Sequence, residues 1–187
     1  MRLVIALAVL GGCGARLLGS SDEAAGLDAA DRRPDGGGGG GRIDAAFDAA
    51  PCTDGDMQAT APDGSCLMLV LAPVSYVDAK ATCAGLGAHL AILTTAALDD
   101  TAEKLVDVVD TFIGLSDEAV EGRFVWGDGT PLQFSSWELG EPNDGNGRVA
   151  EDCAIIAGQR PEKGWDDRPC APSNDAAGGL YASLCQR

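Results

Sequence analysis

The chain has 187 residues, with 29 acidic side chains against 13 Lys and Arg, a formal net charge of -16 and a single His. That balance excludes nucleic-acid binding by phosphate neutralisation, which needs clustered Lys and Arg, and excludes docking to an anionic membrane through a basic patch. The one His, His89, reads as structural, which removes the usual general base, so no enzyme is expected. Seven cysteines fit an oxidising compartment, and the odd number sets one of them apart.

Residues 1–12 read as a signal peptide: Arg2 gives a positive start, and Leu3 to Leu10 forms an apolar run. That run is too short to span a bilayer, which takes ~20 residues. Leu10-Gly11-Gly12-Cys13 resembles a bacterial lipoprotein box, which implies that Cys13 is lipidated and leaves six cysteines to pair. Residues 13–51 then form a Gly/Ala/Asp-rich tether, because such composition buries too little apolar surface to offset the entropy of ordering. The expected location is the cell envelope after secretion across the inner membrane. Membrane contact is expected only through the N-terminal lipid anchor.

The folded domain is expected over 52–187. Cys52 and Cys66 flank a turn signal at Pro62-Asp63-Gly64, so a disulfide-closed hairpin is the natural reading, followed by a strand from Leu67 to Leu71. Ser75 offers an N-cap, and Tyr76, Ala79, Cys83 and Leu86 recur at helical spacing, which predicts a helix from Ser75 to Leu86 stopped by Gly87. His89 to Leu93 reads as a short strand or extended link, with His89 structural. Thr94 or Thr95 caps a second helix with Leu98, Ala102, Leu105 and Val109 inward. Strands follow at Thr111 to Leu115, Phe124 to Trp126, Ala154 to Ile156, Gly164-Trp165 onward and Leu180 to Leu184. Helices early, short strands late and long loops between make an α+β fold.

Between Glu141 and Asp167 lie Glu141, Asp144, Glu151, Asp152, Glu162, Asp166 and Asp167, opposed by Arg148, Arg160 and Lys163. Crowded carboxylates repel one another unless a cation sits among them. Oxygen ligands without a Cys cluster or a His indicate a hard cation, Ca²⁺ before Mg²⁺ or Zn²⁺.

Taken together, Cys83, Phe112-Ile113-Gly114-Leu115, Glu141-Pro142-Asn143, Cys153, Trp165-Asp166-Asp167, Cys170 and Cys185 resemble the C-type lectin-like domain in order and spacing. The resemblance covers about Cys52 to Arg187. It implies the pairs Cys83–Cys185 and Cys153–Cys170, and leaves Cys52–Cys66 as the extra N-terminal bridge of the longer family form. It implies a calcium held by Glu141, Asn143, Glu151, Asp166 and Asp167, with a cis peptide before Pro142. It also implies an auxiliary metal position at Asp117, Glu121 and Asp144, and a carbohydrate bound through Glu141, Asn143, Glu151 and Asp166.

One departure bears on function. The family's usual triplet is Trp-Asn-Asp, whereas here it is Trp165-Asp166-Asp167. An ionised Asp only accepts hydrogen bonds, so a ligand hydroxyl loses a donor at position 166. Glu-Pro-Asn resembles the version associated with mannose-type vicinal hydroxyls. The expected function is calcium-dependent carbohydrate binding at the cell surface. The alternative is a calcium-ordered domain for protein interaction or adhesion, without sugar binding.

Overall fold

A computed structural model describes residues 52–107, 109–172 and 179–187. The expected signal peptide, Cys13 and the tether lie outside the described residues.

The hairpin forms first in the chain, from β1 (Met57–Thr60) and β2 (Cys66–Val74). Its strands pair antiparallel, with Thr60 opposite Cys66. β2 outruns the expected Leu67 to Leu71 because its partner, the last strand, continues beside it and pairs Val74 with Tyr181. Helix α1 (Tyr76–Gly85) starts where Ser75 accepts from the Asp78 backbone N–H, and it is shorter than the span from Ser75 to Leu86 because those two residues are its caps. Gly87 follows at φ +66°, the left-handed turn that favours glycine.

β3 (His89–Leu90) is brief. Thr95, not Thr94, caps α2 (Ala96–Leu105) by accepting from the Leu98 N–H. The helix ends at Leu105 with Val106 as its C-cap, so Val109 lies beyond α2 and packs on the core from the connection. β4 (Thr111–Ser116), β5 (Val125–Trp126), β6 (Cys153–Ile156), β7 (Trp165–Arg168) and β8 (Tyr181–Gln186) complete the elements, with a 3₁₀ turn at Asp144–Gly147. β8 is displaced from the expected Leu180 to Leu184 because its end pairs with β3, Gln186 opposite His89. The α+β class expected from the sequence is the class observed.

One mixed sheet runs in the order β1-β2-β8-β4-β6-β7, with β3 on β8 and β5 on β4. Strand alternation divides two apolar layers. Leu67, Leu69, Ile113, Leu115, Ala154, Ile156 and Leu184 face one cluster, with Leu98, Ala102 and Leu105 of α2. Met68, Phe112, Ile155 and Cys185 face the other, with Tyr76, Ala79 and Cys83 of α1. All three bridges, Cys52–Cys66, Cys83–Cys185 and Cys153–Cys170, lie in or against this second layer. Gly114 is required by close approach, since a Cβ there would lie 2.7 Å from the Leu90 carbonyl oxygen. Cys66 and Arg187 exchange backbone hydrogen bonds of 2.9 and 3.0 Å, which sets the start of β2 beside the C-terminal residue. Among the described residues, no helix is long and apolar enough to cross a membrane.

Candidate metal and ligand site

The site is built from β7 and the loop before β6. β7 carries Trp165, Asp166 and Asp167, all buried. Trp165 is core, as its apolar bulk implies: it meets Trp126, Phe134 and Trp137 edge-on, and its indole N–H donates to Asp99 Oδ1 at 2.8 Å. Asp99 is 3% exposed. Thus α2 holds β7 from below through one polar contact in an apolar layer.

Above β7, the loop folds around carboxylates. The Glu141–Pro142 peptide is cis, as the resemblance implies. The Asn143 N–H donates to Asp167 Oδ1 at 2.9 Å, and the Asp144 N–H donates to Asp167 Oδ2 at 2.7 Å. Glu151 Oε2 accepts from the Gly145 N–H at 2.7 Å, and Asp144 Oδ1 accepts from the Glu151 N–H at 3.1 Å. Asp144 and Asn146 take φ +46° and +56°, a region that short polar side chains tolerate better than others do.

Glu141, Asp166 and Asp167 each offer an oxygen within 4.8 Å of the others. Burial, then the negative charges of Asp166 and Asp167, push the Glu141 carboxyl up to about 7. Burial also raises Asp166, partly offset by Arg168 and Arg160. Asp166 Oδ2 accepts from Arg160 at 2.6 Å and from Arg168, while Oδ1 is buried without a hydrogen-bond partner. Three carboxylates around an unsatisfied buried oxygen suit a hard cation. The donor set therefore fits calcium, with Glu141, Asp166 and Asp167 as the residues that would hold it.

The other expected ligands stand differently. Asn143 donates its Nδ2 to Glu141, and its Oδ1 accepts from the Asn146 N–H at 3.0 Å. Glu151 is tied to Gly145 and lies 3.4 Å from Arg168, which joins it to Asp166. Burial raises the Glu151 carboxyl, against the Gly145 N–H and Arg168.

The auxiliary position is partly rearranged. Glu121 and Asp144 come together with Asp152, a residue not in the expected set. Asp117 is not in that group. Its Oδ2 accepts from the Gly122 N–H at 2.8 Å, closing its own loop, and its Oδ1 is buried without a hydrogen-bond partner. Burial, with the charges of Glu121 and Asp152 behind it, pushes Asp117 up to about 6. A third cluster, Glu118 with Cys153 and Cys170, offers no thiolate because those cysteines are bridged to each other.

Sequence reasoning missed Asp152 and Arg168. The signal for Arg168 was there: strand period two puts it on the same side of β7 as Asp166. No comparable signal linked Arg160 to Asp166, because that contact crosses the connection between β6 and β7.

The domain's sheet order, its bridges and this loop define a C-type lectin-like fold. The Lectin C-type domain model matches residues 72–177, and the chain belongs to that family. Over 110 residues it is 36% identical to human C-type lectin domain family 4 member E, covering 57% of this chain and 49% of the relative. Over 96 residues it is 38% identical to the chicken (Gallus gallus) mannose-binding protein, covering 51% of this chain and 35% of that one. The chain thus spans about half or less of these curated relatives. Among solved structures, the human scavenger receptor C-type lectin carbohydrate-recognition domain superposes with TM-score 0.59 at 26% identity, covering 72% of this chain and 98% of that one. A Ca²⁺-dependent type II antifreeze protein in its Ca²⁺-free form superposes with TM-score 0.57 at 26% identity, covering 67% and 93%.

Proposed function

We propose that this domain is a calcium-dependent carbohydrate-binding module that takes sugars with mannose-type vicinal hydroxyls. The observation that carries the reading is the convergence of Glu141, Asp166 and Asp167 beside the unpartnered Asp166 Oδ1. Burial, with the charges of Asp166 and Asp167 behind it, holds Glu141 partly protonated near neutral pH, and a divalent ion would offset both. A bound ion supplies coordination for neighbouring ligand hydroxyls. The chain's own side chains fix the ion and present hydrogen-bonding groups around it. Similarity to a mannose-binding protein, together with the Glu141-Pro142-Asn143 triplet, supports the sugar class. Glycan-array binding with Ca²⁺, lost on chelation and competed by free mannose, tests it. Calcium-independent binding, or none, overturns it.

A second reading is favoured by Asp166, whose acceptor-only carboxylate stands where a donor amide is usual. There, calcium orders the loop for a cell-surface protein partner or another non-sugar role, and the antifreeze neighbour supports that range. Partner capture unaffected by mannose favours this alternative.

The same reading places the domain at the cell envelope, anchored through an acylated Cys13 on the tether 13–51 after removal of residues 1–12. Several acyl chains on one residue anchor stably where a single chain does not. Fatty-acid labelling that disappears in Cys13→Ser tests the anchor.

A further inference from the structure

Arg168 stands between two of the acids expected to serve the ion. Its Nη2 donates to Asp166 Oδ2, and its Nη1 lies 3.4 Å from Glu151 Oε1. The two partners are not held alike. Asp166 is fully buried, its Oδ2 takes Arg160 as well as Arg168, and its Oδ1 has no hydrogen-bond partner. That carboxylate is divided: one oxygen is committed to guanidinium groups, and the other is available to a cation. Glu151 is divided more loosely. Its Oε2 accepts from the Gly145 N–H at 2.7 Å, whereas its Oε1 has only the 3.4 Å contact, longer than the ~2.7–2.9 Å of a well-made charge-assisted hydrogen bond.

Glu151 also feels the three clustered carboxylates. The negative charge of Asp167 acts on it in the opposite direction to the charge of Arg168. A divalent ion among Glu141, Asp166 and Asp167 would attract the Glu151 carboxylate as Arg168 does. Calcium takes about six to eight oxygens, so one from each of those three acids leaves its shell short and gives Glu151 a place in it. Arg168 is suited to oppose that move. Its guanidinium stays charged at any ordinary pH and spans two carboxylates with a rigid fork. The firm contact with Asp166 keeps it in place while the loose contact with Glu151 opens.

Resting on the calcium reading above, we propose that Arg168 is a tethered competitor of the cation: Glu151 Oε1 is shared between them, and it leaves the guanidinium when the ion binds. Arg168 thereby sets the level of free calcium at which the site fills. Asp166 takes part in this, because its charge holds the guanidinium more firmly than an amide oxygen does.

The test titrates calcium into the full chain by calorimetry and follows the melting temperature in parallel. Arg168→Met, which removes the charge and every donor at similar length, should bind calcium about tenfold more tightly than wild type, the scale of one charge-assisted hydrogen bond. Arg168→Lys keeps the charge but not the fork and should fall between the two. It also stands in for Arg168→Met if that variant fails to fold in chelator. Equal or weaker calcium binding by Arg168→Met overturns the competition, because Arg168 then holds Asp166 in position for the ion. Arg168→Lys indistinguishable from wild type overturns it as well, because the effect then belongs to charge at a distance and not to Glu151. Calcium that neither gives heat nor raises the melting temperature of any of the three proteins removes the calcium reading, and the competition with it. Loss of the sugar reading alone leaves the competition standing.

Discussion

The two-layered sheet and the loop from Glu141 to Asp152, which folds over Asp166 and Asp167, are held by different forces. The sheet excludes water through alternating apolar side chains and disulfides, which are indifferent to charge state. The loop is organised by carboxylates accepting backbone N–H groups, so its order depends on what neutralises them. The contrast teaches that the fold rests on forces independent of charge, whereas the order of the loop depends on what neutralises its carboxylates.

The sharpest break in the comparison is made in the sheet. Cys83 and Cys185 close a loop with a sequence separation of 102. Replacing both with Ala should cost about 4 to 5 kcal/mol in denaturant unfolding, with calcium adding the same increment to variant and wild type alike. Calcium itself comes next. Free ion at one hundred times its Kd should add about 2.7 kcal/mol, seen as a higher Tm, and Asp167→Ala should abolish that gain. A joint between the regions is Asp99: Asp99→Ala leaves the buried Trp165 N–H without its acceptor and should cost about 1 to 3 kcal/mol by chemical denaturation.

The smallest effect is a pH dependence, measured in chelator. Asp117 titrates at about 6 in the folded chain, above its ordinary 3.8, so the folded state holds the proton more tightly. Its contribution to stability is therefore present below about pH 4 and is lost as pH rises through 6. Asp117→Asn should flatten that fall, gaining Tm over wild type at pH 7 and nothing at pH 3.5. An unchanged pH profile would remove Asp117 as its source.

The sheet was the legible half. Continuous β-rich apolar runs marked β4 and β6, and Ser75 and Thr95 announced their helices, because these signals are local. The edges slipped where long-range pairing decides: β2 and β8 extend as they do because they pair with each other. In the loop, residue types and order pointed to Glu141, Asp166 and Asp167. What stayed hidden was which neighbour neutralises which acid. Arg160 reaches Asp166 across a connection, and Asp152 replaces Asp117 beside Glu121 and Asp144, because turn geometry rather than spacing decides where each carboxylate points.

The reciprocal hydrogen bonds between Cys66 and Arg187, with Arg187 also paired to Asp54, carry an architectural consequence. Entry and exit of the domain's chain lie side by side, like the two prongs of a plug. Such a domain can be spliced into a surface loop of a host protein with short linkers, its sheet neither stretched nor opened. A host carrying it there should keep its own fold.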